Sequence, residues 1–199
     1  PGASLVLALD AGLQRSVQTA LENHLATLRA TKAAGAGREA NAGAVVVVDV
    51  ATGGILAAAN APSYDLDAYR SGYAALAADP AAPLLDRTAQ GLYAPGSAFK
   101  PAVAAAALSA GVVTPQDTVA CTGRYRFYSG YQPRCLQIGH SGPVDLFRAL
   151  QYSCNIYFYD VGRRLGADAF ADAARTLGLA APTGIELPED TGLVASPAT

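Results

Sequence analysis

The chain has 199 residues, 51% of them hydrophobic and 15% charged, with a formal net charge of −2. That size and apolar content support one compact domain with a sizeable core and exclude a disordered chain. The acidic balance excludes a nucleic-acid-coating surface, so no nucleic-acid partner is expected, and no apolar run approaches the ~20 residues of a membrane span.

Residues 4–9 read as a short strand ended by Asp10, a good helix N-cap. From Ala11 to Arg29, Leu13, Val17, Leu21, Leu25 and Leu28 fall at steps of four and three, one stripe of an amphipathic helix. Lys32 to Gly43 is a Gly/Ala-rich stretch expected to be a flexible linker. Ala44–Val50 and Ile55–Asn60 flank the turn signal Ala51-Thr52-Gly53-Gly54 and predict a β-hairpin. Its continuous apolarity predicts a sheet covered on both faces. Pro62 to Gly96 is long and irregular, a length expected to be functional or partly helical.

Further on, Ser97–Ala110 reads as a small-residue helix stopped by Gly111. Val119–Tyr131 reads as short strands or turns. Helices are expected over Val144–Gln151, Ile156–Leu165 and Ala167–Leu177, the last ended by Gly178, and the tail from Pro182 is extended. The chain opens at Pro1-Gly2-Ala3 without a basic n-region or an apolar h-region. It is therefore either cytosolic or stripped of a targeting segment, and the second fits the motifs better.

The strongest chemical signal is Tyr93-Ala-Pro-Gly-Ser-Ala-Phe-Lys-Pro101. Pro95-Gly96 breaks the preceding structure, so Ser97 opens the next helix and Lys100 lies one turn along on the same face. That spacing lets the amine reach the hydroxyl; a desolvated, neutral lysine is then a base that activates the serine. The chain holds only two lysines, Lys32 and Lys100, and the second stands in a segment made mostly of Ala and Val. The bland alternative is an N-cap serine followed by a surface lysine. Ser153-Cys154-Asn155 lies between two predicted helices and would present a hydroxyl and an amide to a cleft, Ser153 as proton relay and Asn155 to orient a substrate amide. Taken alone, it reads equally as a helix cap.

Cys121, Cys135, His140 and Cys154 form a pattern with intervals of thirteen, four and thirteen residues. They are ligand types that tetrahedral Zn²⁺ takes, although not at the short Cys-x-x-Cys spacing of zinc fingers. A structural zinc, a Cys121–Cys135 disulfide with Cys154 over, and three buried reduced thiols all stay open.

In this order, Ser-x-x-Lys and Ser-x-Asn resemble the first two of three signatures of penicillin-binding transpeptidases and serine β-lactamases. The flanks are more specific. Gly43-Ala-Val-Val-Val-Val-Asp49 with Thr52-Gly-Gly-Ile-Leu-Ala57, Gln90 to Pro101, Tyr152 to Tyr159 and Thr183-Gly184-Ile185 resemble class B penicillin-binding proteins of the elongation type, over nearly the whole chain. The resemblance implies an α/β (α+β) penicillin-binding protein/β-lactamase-like transpeptidase fold, with an antiparallel sheet, flanking helices and an all-helical subdomain. It implies a D,D-transpeptidase in which Ser97 attacks the D-Ala-D-Ala carbonyl of a peptidoglycan stem peptide. Lys100 would be the base, Ser153 the relay to the leaving group and Asn155 the holder of the substrate amide. β-Lactams would acylate Ser97.

No cofactor is implied for catalysis, though some elongation-type relatives are similar in having a metal-binding loop at the place of the cysteine cluster. An extracytoplasmic location, an anchor outside this chain and a membrane glycan polymerase as partner are implied too. The family's third signature, Lys-Thr-Gly, is absent from the sequence. Residues 1–199 are accordingly expected to be the N-terminal part of a transpeptidase domain, with the C-terminal strands and that motif beyond Thr199, and without full activity alone. Two other outcomes remain: a serine β-lactamase, for which no deacylating base can be assigned, and a non-catalytic sensor that binds β-lactam or muropeptide.

Overall fold

The computed structural model describes residues 2–31, 37, 39–136 and 138–196. Most of the Lys32–Gly43 linker reading falls outside the described residues. The chain divides into two compact units: Pro1–Leu92 with Ile185–Asp190, and Tyr93–Gly184 with Thr191–Thr199.

In the first unit, helix α1 (Ala11–Ala30) starts at Asp10, whose carboxylate accepts from the Leu13 amide at 2.8 Å and satisfies an amide that has no partner within the helix. Strands β1 (Gly43–Val48) and β2 (Ile55–Ala61) pair antiparallel, joined by a tight turn. In that turn Asp49 accepts from the Ala51 amide and the Thr52 hydroxyl, and Gly53 takes φ +74°. These two bonds hold the Asp49 carboxyl below its ordinary pKa, the Thr52 hydroxyl contributing most.

The stripe read from the sequence is the face α1 buries. Leu21 and Leu25 pack on Ala59 and Ala61, with Val17 and Val45 at the margin. The free edge of β2 is closed by side chains rather than by another strand. Gln14 both donates to the Ala58 carbonyl (2.9 Å) and accepts from its amide (2.8 Å), and Gln18 donates to the Asn60 carbonyl (2.8 Å).

Two expectations fail in this unit. Residues 4–9 form no strand: the Asp10 amide reaches the Leu56 carbonyl, but Leu5 and Val6 are exposed and no described strand offers 4–9 a ladder. The hairpin is covered on one face by α1, while Val46 and Val48 stay exposed on the other. An apolar run shows that a strand can be buried on both sides, not that a second layer is at hand. The long segment after Pro62 is partly helical, as its length suggested: α2 (Leu66–Ala78) starts at Asp65, which accepts from the Asp67 and Ala68 amides.

The second unit is built around α5 (Asn155–Leu165), whose Ile156, Tyr157, Phe158, Val161 and Leu165 are all buried. Helix α3 (Lys100–Ser109) meets it through Ala104 and Ala107, residues small enough for close helix approach. Strands β3 (Val119–Cys121) and β4 (Gly142–Val144) add Cys121 and Val144 to this core. Helix α4 (Leu146–Gln151), capped by Asp145, adds Leu146 and Ala149. The expected helix from Val144 thus starts two residues later, because Val144 pairs with Val119. Helix α6 (Ala167–Thr176) packs on α3 and α5.

Three helices of this unit end alike. After α3, the Gly111 amide bonds to Leu108 and the Val112 amide to Ala107. After α6, Gly178 and Leu179 bond back to Arg175 and Ala174. After α4, the Ser153 amide bonds to Leu150 and the Cys154 amide to Ala149. All three are Schellman turns, with the first of each pair in the left-handed region at φ +65°, +83° and +53°. Two use glycine there. The third uses Ser153, at the steric cost a Cβ carries in that region.

Candidate active site

Gly96, at φ +57°, turns the chain into a 3-10 turn over Gly96–Phe99, and α3 follows from Lys100. In a 3-10 turn side chains three apart eclipse, so Ser97 and Lys100 leave the backbone in nearly the same direction. The two are also linked through the backbone, the Lys100 amide donating to the Ser97 carbonyl. Ser97 itself is exposed.

The Lys100 ammonium reaches across to the Schellman turn. Nζ donates to the Ser153 carbonyl (2.7 Å), the Ser153 hydroxyl (2.8 Å) and Asn155 Oδ1 (2.7 Å). Its ring of three acceptors matches the three N–H bonds of a lysine ammonium. The expected partner was the Ser97 hydroxyl; among the described residues Nζ bonds instead to Ser153 and Asn155. Spacing along one helix could not reveal acceptors 53 residues away. Burial pushes the Lys100 pKa below its ordinary value, against an opposing pull from the Cys135 and Cys154 thiols. The ring of Phe158 lies 5.6 Å from Nζ.

Asn155 is fixed at both ends of its amide. Oδ1 accepts from Lys100 while Nδ2 donates to the Arg134 carbonyl at 3.0 Å. Its backbone amide also donates to Cys135 Sγ at 3.4 Å. No motif of the chain signals Arg134 or this support.

Behind this turn, Cys121, Cys135, His140 and Cys154 converge. All four are buried and their ligand atoms lie within 4.8 Å of one another. The cysteines are thiols, so the Cys121–Cys135 disulfide reading is set aside. Desolvation, aided by neighbouring thiols, pushes the Cys154 thiol up to about 12. His140 Nδ1 faces the Ile138 carbonyl at 3.1 Å, which leaves Nε2 for Cys135 Sγ at 3.5 Å. The His140 ring stacks on Tyr152 at 5.7 Å.

Residues 43–196 match the family described as the penicillin binding protein transpeptidase domain. The chain belongs to the penicillin-binding protein transpeptidase family. It is 36% identical over 203 residues to the peptidoglycan D,D-transpeptidase MrdA of Escherichia coli K12, covering 95% of this chain and 28% of that protein. To the PbpA D,D-transpeptidase of Mycobacterium tuberculosis it is 34% identical, over 75% of this chain and 33% of that one. Among solved structures it resembles PBP2 of Pseudomonas aeruginosa, in complex with WCK 5153, with a TM-score of 0.79 and 34% identity. That match covers 98% of this chain and 42% of the other. The chain thus spans about a third of the length of these curated relatives and less than half of that solved chain. The family's mixed helix and antiparallel-sheet architecture is the one described above.

Proposed function

We propose that this chain forms part of a peptidoglycan D,D-transpeptidase that works through a Ser97 acyl-enzyme and is acylated by β-lactams. The observation that carries the proposal is the Lys100 ammonium held between Ser153 and Asn155, on the residue that follows the Ser97 turn. Relatives named as peptidoglycan D,D-transpeptidases support the reaction class over a β-lactamase or a sensor.

The chemistry follows from the acceptors around Nζ. A neutral amine keeps two N–H bonds and gains a lone pair. The Ser153 carbonyl and Asn155 Oδ1 can only accept, so they keep the two N–H bonds. The lone pair is then left for a hydroxyl proton, from Ser153 in the resting arrangement or from Ser97 when Nζ turns along the eclipsed direction. Burial, which lowers the lysine's pKa, favours that neutral form. Ser97 Oγ bonds to the penultimate D-Ala carbonyl carbon and its proton passes to Lys100. The C–N bond to the terminal D-Ala breaks, and Ser153 relays a proton to the leaving amine. An acceptor amine from a second stem peptide then attacks the ester, its proton returning by the same route, and Ser97 is regenerated. Asn155, clamped by Arg134, holds the substrate amide. The Ser97 amide, in the 3-10 turn that leads into α3, would supply one oxyanion donor.

The cysteine cluster fits a structural zinc. Zn–S and Zn–N bonds of about 2.3 and 2.05 Å in a tetrahedron put sulfur and nitrogen about 3.6 Å apart. The Cys135 Sγ–His140 Nε2 distance is 3.5 Å. The Ile138 carbonyl would fix the His140 tautomer with Nε2 as ligand. Cys121, Cys135, His140 and Cys154 would hold the ion. When bound, it would supply no step of the acyl transfer, only cross-linking of the 121–154 segment.

The whole protein is read as acting outside the cytoplasm beside a glycan polymerase, with its anchor outside this chain; no helix among the described residues is long and apolar enough to cross a membrane. Residues 1–199 are read as the N-terminal part of the transpeptidase domain. The test is labelling with fluorescent penicillin. The natural polypeptide carrying this sequence takes up one label per molecule, slowly released, and Ser97→Ala takes up none. Labelling that survives Ser97→Ala removes the serine assignment, and rapid release of the label restores the lactamase reading.

A further inference from the structure

Between Asp117 and Asp145 the chain has three arginines, Arg124, Arg126 and Arg134, and no acidic residue, although the whole chain carries −2. The structure folds this stretch back on itself, Arg124 bridging Arg134 in antiparallel fashion, with the Tyr125 amide bonded to the Pro133 carbonyl. Arg126 and Arg134 are exposed. The hairpin tip presents three aromatic side chains to solvent: Phe127 (57% exposed), Tyr128 (52%) and Tyr131 (73%). Grouped exposed rings of this kind need a reason.

Phe127 and Tyr128 are held from behind. Phe127 lies parallel to the buried Tyr125 ring at 6.2 Å, carries the Arg163 guanidinium 4.0 Å from its centroid, and meets Tyr128 edge-on at 4.9 Å. Arg163 is fixed by Asp160 and by the Tyr125 hydroxyl. A platform braced in this way loses little conformational freedom on binding. The hairpin's return strand supports the candidate active site directly, since the Arg134 carbonyl and Cys135 Sγ accept from Asn155. Whatever Asn155 holds has this hairpin beside it.

We infer that the 124–134 hairpin is a docking surface for the saccharide–peptide strand of peptidoglycan, its aromatic faces taking the C–H faces of sugar rings and its arginines the stem-peptide carboxylates. The inference rests on the transpeptidase reading. Two features select this occupant. The Tyr128 and Tyr131 rings end in hydroxyls that can hydrogen-bond sugar hydroxyls while the ring faces pack on sugar C–H faces. Guanidinium groups with no carboxylate partner among the described residues, in an acidic chain, suit a ligand bearing carboxylates.

The test uses the natural polypeptide carrying this sequence and purified un-cross-linked peptidoglycan strands. Its comparators are the same strands stripped of peptide by an amidase, and vesicles containing anionic phospholipid. Tyr128→Ala with Tyr131→Ala should weaken binding to intact strands by at least about tenfold, and Arg124→Gln with Arg126→Gln by a similar factor. Penicillin acylation should stay within about twofold of wild type in both variants, as the site residues are untouched. Stripped strands should respond to the tyrosine pair and not to the arginine pair.

Intact strands that bind neither wild type nor variants, or bind both variants as tightly as wild type, overturn the inference. So does capture of vesicles in preference to strands. Variants that also lose acylation show a structural effect and overturn it as well. Failure of the wild type to react with penicillin falls on the transpeptidase reading instead, which keeps the two failures apart.

Discussion

Replacing Ser153 by alanine and by glycine separates what its hydroxyl does from what its backbone costs. Both changes delete the oxygen that bonds Lys100 Nζ at 2.8 Å, while the ammonium keeps its bonds to the residue-153 carbonyl and Asn155. That loss costs about 1 kcal/mol, below the roughly 1.5–3 kcal/mol of a buried charged hydrogen bond because the site is solvent-accessible. The two variants differ in the left-handed turn. At φ +53° a Cβ costs about 1–2 kcal/mol, which alanine keeps and glycine removes. Ser153→Ala should therefore unfold about 1 kcal/mol below wild type and Ser153→Gly near it. In a chain of this size that separates the two melting temperatures by roughly 2–4 °C or more. Acylation by penicillin should fall in both by about 10²–10⁴, the range for losing a positioned proton-transfer group. Denaturant or thermal unfolding gives the first quantity and stopped-flow acylation the second. Wild-type acylation in either variant refutes the relay, and equal stability of the two refutes the strain.

Three further outcomes follow from the same geometry. Because burial lowers the Lys100 pKa, the native state holds fewer protons than the unfolded chain between the folded and unfolded values. Stability should rise with pH across that window, and the acylation rate should rise through the folded pKa to a plateau reached below the ordinary lysine value of about 10.4; Lys100→Arg should show neither rise. Zinc should be found at one ion per chain in protein purified without added metal; chelation or Cys121→Ser should then lower the melting temperature, and metal-free protein with three titratable thiols would remove the site. Tyr157 is wholly buried and its hydroxyl finds no hydrogen-bond partner among the described residues, so Tyr157→Phe should leave stability unchanged or raise it by about 1 kcal/mol. A clear loss in a chemical denaturation experiment would contradict that.

What the sequence shows and what it hides divide along physical lines. The α1 stripe, the hairpin around Ala51–Gly54 and the helices around Gly111 and Gly178 are local: periodicity or one turn residue specifies each, and they form, although the helix expected from Ser97 begins only at Lys100, after a 3-10 turn. Residues 4–9 have the right composition for a strand, but a strand needs a partner, and pairing is not written in the segment itself. The same limit explains Lys100. Its i, i+3 relation to Ser97 is readable, whereas its bonds to Ser153 and Asn155 depend on how α3 packs against α5. Arg134 acts through its backbone carbonyl, which no side-chain motif can advertise. The Cys/His convergence is visible as composition, and the pairing of β3 with β4, the return of the 124–134 hairpin and the turn after α4 together draw the four residues into one cluster.

Residues 153, 154 and 155 serve two centres in alternation, the outer two turned to Lys100 and the middle one to the buried sulfur cluster. Reading frame within this tripeptide is thus more constrained than chemistry. Adding a single amino acid between Leu150 and Ser153 would aim the sulfur of Cys154 at the amine and the hydroxyl of Ser153 at the sulfurs.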